Sequence, residues 1–205
     1  MSDNATGQEA EGVTGIVLAG GRSSRFGSDK LVAQIDGRTL LDRAVEAVAA
    51  IATEVIVVVA PDDDRPLPPA RVPVRAVVDG EPFGGPLVGL RAGLEEAREP
   101  IVVVVGGDMP SLRPSVLNAL VRALLSAADT VGAAVLRSRG SLVPLPAALR
   151  TGTASDRVGA LVADGERRLR SLFERLPTRV LEEGEWRPLD PDGETLRDVD
   201  RPSDL

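Results

Sequence analysis

The chain has 205 residues, 43% of them hydrophobic and 27% charged, with a formal net charge of −7. That suits one globular domain burying roughly 70% of the surface its unfolded form exposes. With no Cys, no His, no Tyr and only 2% aromatics, it excludes disulfide scaffolds, Cys/His zinc sites, thiol nucleophiles, imidazole bases and a basic, base-stacking footprint for polymer nucleic acid.

Residues 1–12 are polar and acidic and read as a disordered tail, so the domain is expected to occupy 13–205. No apolar run approaches the ~20 residues of a membrane helix and no targeting segment is visible, which points to a soluble, cytoplasmic protein. Short Val/Ile-rich runs at 15–19, 55–60, 74–78, 101–105 and 131–136 predict strands buried on both faces. Between the first two, residues 39–52 carry an apolar stripe behind a Thr39/Asp42 capping pair, the pattern of a crossover helix. Residues 86–98 and 114–128 each open on Pro and predict two more helices. The repeated strand, helix, strand units imply a mostly parallel sheet covered on both faces, with ligands bound beyond the carboxyl ends of its strands. Further on, Pro144 and Pro146 limit 142–147 to an edge strand or extended segment. Residues 167–176 predict an amphipathic helix, and 182–194 are turn-rich around the single Trp186.

The most informative segment is LAGGRSSRFGSDK at 18–30, directly after the first strand. Gly20 and Gly21 permit a tight turn that brings backbone N–H groups against an anion, and Arg22, Arg25 and Lys30 add positive charge. This reads as a phosphate cradle, and its spacing matches neither a Walker loop nor GxGxxG. The bland alternative is a solvated loop paired with surface carboxylates. Asp108, after the most apolar strand, suits a Mg²⁺ ligand facing nucleotide phosphates, a cap for the helix at Pro114, for which Ser111 is nearer, or a turn residue. Asp79, after the third strand, is equally a double acceptor for the N1–H and N2–H₂ donors of guanine and an ordinary Asp-Gly turn. Gly85 and Gly89 would let the next helix approach a nucleotide, although Gly-Pro is also a common helix start. Arg167, Arg168 and Arg170 could meet an anionic second substrate, but such residues more often form a solvated helix face.

LAGG followed by Ser23, Arg25, Gly27, Asp29 and Lys30, then Gly85-Pro86-Leu87-Val88-Gly89, Gly106-Gly107-Asp108-Met109-Pro110 and the ending LRDVDRPSDL, resembles the molybdenum cofactor guanylyltransferases of the nucleotidyltransferase superfamily. The resemblance runs from Gly15 to Leu205. It departs at Phe26, where Met is usual, at Asp198 and Asp200, where Asn is common, and at Ala60-Pro61, where some members carry a base-contacting Asn.

The resemblance implies a Rossmann-like α/β three-layer sandwich of the nucleotide-diphospho-sugar transferase type. It implies transfer of GMP from GTP to the phosphate of molybdenum-loaded molybdopterin, with Mg²⁺ as cofactor and transient contacts with other cofactor-synthesis proteins. Carried onto this chain, the catalytic residues are Arg25, Lys30 and Asp108. The nucleotide is held by Leu18, Ala19, Gly20, Gly21, Arg25, Lys30, Asp79, Gly85, Gly89 and Asp108, with the backbone N–H groups of Ala19 to Gly21 on the triphosphate, and the metal by Asp108 and Asp200. Asp198 and Asp200 stand two apart in what reads as a short extended strand ended by Pro202, both carboxylates on one face; Asp200 is favoured because it precedes the turn. Without the resemblance, the same residues read as a solvated acidic terminus paired with Arg197 and Arg201. The competing functions are a cytidylyltransferase on the same cofactor, a guanylyltransferase for another small phosphate, and a non-catalytic nucleotide-binding module.

Overall fold

The structure, a computed structural model, describes residues 12–20, 30–80 and 84–204. Residues 1–11 of the expected tail, and Gly21, Arg22, Ser23, Arg25, Phe26, Gly27 and Asp29 of the loop, lie outside the described residues. In chain order the elements are β1 (Val13–Leu18), β2 (Gln34–Ile35), β3 (Arg38–Thr39), α1 (Leu40–Ala49), β4 (Glu54–Val59), β5 (Val74–Val78), α2 (Pro86–Glu96) and β6 (Ile101–Gly106). There follow α3 (Pro114–Leu125), β7 (Ala133–Ser138), β8 (Ser141–Arg150), α4 (Thr151–Ala163), α5 (Arg170–Arg175), β9 (Thr178–Leu181) and α6 (Glu183–Trp186). Seven strands form one sheet in the order β5-β4-β1-β6-β8-β7-β9. Pairing is parallel except along β8, which runs antiparallel to both neighbours.

β1, β4 and β6 sit side by side in the sheet, and alternate Val and Ile residues feed two cores. Val55, Val57 and Val59 pack with Leu41, Val45 and Val48 of α1 and with Leu117 and Leu120 of α3. On the opposite face, Ile56 and Val58 pack with Leu87, Leu90 and Leu94 of α2 and, farther along the sheet, Val158 and Leu161 of α4 join the same cluster. Gly15 lets α1 lie against the sheet, because a Cβ there would stand 2.1 Å from Cγ1 of Val48. Thr39 and Asp42 form the expected capping box, with Asp42 N–H donating to Thr39 Oγ1 at 3.0 Å and Thr39 N–H to Asp42 Oδ2 at 2.9 Å.

Four expectations need correction. Val74–Val78 is not buried on both faces: β5 is the sheet edge, and Val78 is 52% exposed. Residues 142–147 belong to a strand that lies inside the sheet rather than at its edge. The prolines are accommodated because the β7–β8 register jumps from Val135↔Ala147 to Leu136↔Val143, leaving 144–146 in a bulge where no ladder donor is needed. The helix expected over 167–176 is confined to Arg170–Arg175. Residues 197–200 form no strand, and Pro202 opens a 3₁₀ turn, Pro202–Asp204. α4, β9 and α6 have no counterpart in the sequence reading. No helix among the described residues is long and apolar enough to cross a membrane.

Candidate active site

Because β1, β4, β5 and β6 are parallel, their carboxyl ends share one rim, and the chain after each carries a residue of interest. After β1, Ala19 N–H donates to the Val58 carbonyl at 2.8 Å and so continues the ladder. This corrects the expectation that Ala19 N–H cradles phosphate, since the group already has its partner; Gly20 is exposed on the rim beside Ala60. The Leu18 carbonyl accepts from Gly107 N–H at 3.0 Å, which ties the ends of β1 and β6 together.

At the end of β6 the glycine pair serves space. A Cβ on Gly106 would stand 2.5 Å from Oδ1 of Asp108, so the bare glycine is what lets this carboxylate fold back over its own strand. Lys30, the first residue of the 3₁₀ turn Lys30–Val32, donates from Nζ to Asp108 Oδ2 at 2.6 Å and to Asp200 Oδ1 at 3.1 Å. Side-chain exposures are 18% for Lys30, 26% for Asp108 and 50% for Asp200. Burial by itself lowers the Lys30 pKa, but its bonds and charge interactions with Asp108 and Asp200 outweigh this and raise it above the usual lysine value. The terminal segment is anchored by the fully buried Val199, whose N–H donates to the Asp108 carbonyl at 3.0 Å. Asp198 is exposed as a residue, yet partial desolvation of its carboxyl, with Asp200 and Asp108 nearby, raises its pKa.

Asp108 is not a helix cap, because Arg113 occupies the N-cap position of α3 and Ser111 does not. Asp79 is 9% exposed, and its N–H donates to the Val59 carbonyl at 2.8 Å. A Cβ on Gly89 would lie 3.7 Å from Asp79 Oδ2, so α2 does approach that carboxylate closely. Gly85 serves the backbone instead. Its φ is +85°, and a Cβ there would come within 3.1 Å of Cβ and O of Arg167, whose carbonyl accepts from Leu87 N–H. The Arg167 guanidinium donates to the Val162 and Glu166 carbonyls, Arg168 pairs with Glu166 at 3.1 Å and Arg170 with Glu174 at 3.8 Å. These three arginines thus have partners in their own segment.

A family model of the MobA-like NTP transferase domain matches residues 15–180. The chain belongs to the MobA-like NTP transferase family. A relative from Chloroflexus aggregans named probable molybdenum cofactor guanylyltransferase is 34% identical over 200 residues, covering 94% of this chain and 91% of that protein. A molybdenum cofactor guanylyltransferase from Burkholderia vietnamiensis is 36% identical over 181 residues, covering 83% and 85%. The crystal structure of molybdopterin-guanine dinucleotide biosynthesis protein A from Archaeoglobus fulgidus superimposes with a TM-score of 0.74 at 21% identity, covering 93% and 94% of the two chains. At 14% identity, 4-diphosphocytidyl-2C-methyl-D-erythritol synthase from Anaerococcus prevotii reaches 0.70, covering 95% and 94%. These two likenesses establish the fold, the mostly parallel three-layer sandwich of the nucleotide-diphospho-sugar transferases.

Within this MobA-like chain, sequence reasoning overlooked two contributors. Val199 holds the terminal segment on Asp108, and Gly106 makes room for the Asp108 carboxylate. One available signal also went unread: of the 24 cationic residues, Lys30 alone is lysine.

Proposed function

We propose that the chain transfers GMP from GTP to the terminal phosphate of molybdenum-loaded molybdopterin. The observation that carries this reading is the meeting, at the carboxyl rim, of a loop lysine with a strand-end and a C-terminal carboxylate, Lys30 with Asp108 and Asp200. The names of the relatives supply the base and the acceptor. An oxygen of the acceptor phosphate attacks the α-phosphorus of GTP. A new P–O bond forms, the α–β bridging bond breaks, and its electron pair leaves with pyrophosphate. A phosphate monoester is already anionic at neutral pH, so a chain without His needs no strong base for this step.

The chain's own residues orient and neutralise. Lys30 carries the charge to meet the β- and γ-phosphates, and Arg25, outside the described residues, joins it in this proposal. Leu18 and Gly20 form the floor of the cradle, Gly21, outside the described residues, joins them in this proposal, and Asp79 with Gly89 beside it receives the guanine edge. Asp108 and Asp200 offer oxygen-only donors already turned toward one shared cation, a set that fits Mg²⁺, which takes one or two carboxylates and completes its shell with phosphate oxygens and waters. When bound there, Mg²⁺ supplies positive charge to the phosphoryl oxygens. A cytoplasmic setting accords with the use of GTP.

Incubation with GTP, CTP or ATP and molybdenum-loaded molybdopterin, with products identified by mass, tests the reading. The guanine dinucleotide form should appear with GTP. Equal turnover of CTP removes the guanine assignment, and absence of any dinucleotide removes the transferase reading.

A further inference from the structure

The sole lysine of the chain sits between two carboxylates that the fold brings in from 78 and 170 residues away. The other cations are all arginine. The difference is chemical. A guanidinium is a planar fork that grips carboxylates through several fixed donors, whereas an ammonium is a compact charge on a flexible stem with rotatable donors. An arginine here would lock Asp108 and Asp200 together; a lysine can leave them. With Nζ 2.6 Å from Asp108 Oδ2 and 3.1 Å from Asp200 Oδ1, the ammonium fills the gap these oxygens would offer a divalent ion. Such an ion binds oxygens at about 2.0–2.1 Å, too close to share the gap with an ammonium. Among the described residues no group of three acidic side chains could hold a metal.

We propose that Lys30 is a displaceable internal cation. In the nucleotide-free protein it keeps the metal's place between Asp108 and Asp200, and it yields that place when a triphosphate offers its ammonium a new anionic partner. This rests on the reading of Asp108 and Asp200 as metal carboxylates. A divalent ion arriving alone would gain two oxygens but leave a partly buried ammonium beside a like charge. A triphosphate removes that conflict by taking the ammonium. Metal and nucleotide affinities are then coupled, each favouring the other by the same factor. The coupling is additional to chelation of the metal by the nucleotide itself.

The probe is Mn²⁺, followed by electron paramagnetic resonance with no nucleotide present. Lys30→Met should bind Mn²⁺ about 5- to 150-fold more tightly than wild type, the range of typical site coupling. Lys30→Met combined with Asp108→Asn should return to weak binding. A second measurement uses unmutated protein. Labelled with ¹⁵N-lysine, it yields a single side-chain ammonium signal, which should be unmoved by Mg²⁺ alone and shifted by a non-hydrolysable GTP analogue with Mg²⁺. Equal Mn²⁺ affinity in wild type and Lys30→Met, with binding lost in Asp108→Asn, overturns the displaceable lysine and leaves the metal carboxylates standing. Mn²⁺ binding indifferent to both substitutions overturns the metal reading and the proposal together. An ammonium signal that moves with Mg²⁺ alone, or ignores the nucleotide analogue, also refutes the exchange.

Discussion

Gly106→Ala isolates the packing that places the Asp108 carboxylate. The backbone at Gly106 does not have positive φ, so alanine is conformationally allowed and the added methyl is the whole perturbation. That methyl would stand 2.5 Å from Asp108 Oδ1, while its next contacts, Cγ and Sδ of Met109 at 3.4 and 3.5 Å, are ordinary. Asp108 Oδ1 must therefore move away, which turns the carboxylate and strains the 2.6 Å bond that its Oδ2 accepts from Lys30. Overpacking of this kind costs about 1–3 kcal/mol. For a chain of this length that lowers Tm by roughly 2–12 °C. Moving the carboxylate that is read as a metal ligand out of place should slow turnover by roughly 100-fold, the order of cost of a misplacement of about 1 Å. The deciding assay is a double-mutant cycle read by thermal unfolding. In an Asp108→Ala background the methyl meets no carboxylate, so Gly106→Ala should become nearly neutral, with a coupling of about 0.5–3 kcal/mol. An equal loss of stability in both backgrounds would refute the argument that Gly106 exists to seat Asp108.

Three further outcomes are expected. Asp79→Asn replaces one acceptor by a donor facing the guanine edge and should weaken GTP by about 1–3 kcal/mol, roughly 5- to 150-fold in Kd; an unchanged Kd by titration calorimetry would return Asp79 to the role of a turn residue. Gly85→Ala forces a side chain into a conformation open essentially to glycine and against Arg167, so it should cost about 1–3 kcal/mol; a wild-type Tm would contradict this. Glu166 accepts from the Arg168 guanidinium, from Ser171 Oγ and from the Arg168 and Arg167 N–H groups, which together hold its pKa far below the usual carboxylate range. Its folded pKa being depressed, its stabilisation is full above about pH 5 and is lost as pH falls through the ordinary carboxylate range toward the folded value. Wild type should thus exceed Glu166→Gln in Tm at neutral pH by a margin that shrinks toward pH 3, and a pH-independent margin would count against the ion pair.

Much of the site was legible because its pieces are local. Lys30 and Asp108 stand in glycine-rich segments next to strands whose Val/Ile runs announce themselves, and both residues reached the carboxyl rim as expected. α4 escaped notice because Gly152 and Gly159 and its Thr, Ser and Asp residues have low helix propensity, although Ala154, Val158, Leu161 and Val162 mark its buried stripe. The three arginines from 167 to 170 could not be assigned from spacing, since their partners, such as the Val162 carbonyl at the end of α4, depend on where that helix stops.

The sequence by itself determined the layers of this protein: the burial of β4 and β6 on both faces, the Thr39/Asp42 cap that starts α1, and the prolines that open α2 and α3 are consequences of continuous Val/Ile runs and local backbone chemistry. Tertiary structure alone decided the rest. The place of β8 inside the sheet depends on a bulge that exists only once β7 pairs with it, and the unavailability of Ala19 N–H depends on the Val58 carbonyl of a neighbouring strand. Asp200 meets Lys30 because Val199, fully buried, pins the terminal segment to the Asp108 carbonyl. Contacts across 170 residues are set by how the layers pack, and no local pattern of charge or hydrophobicity encodes them.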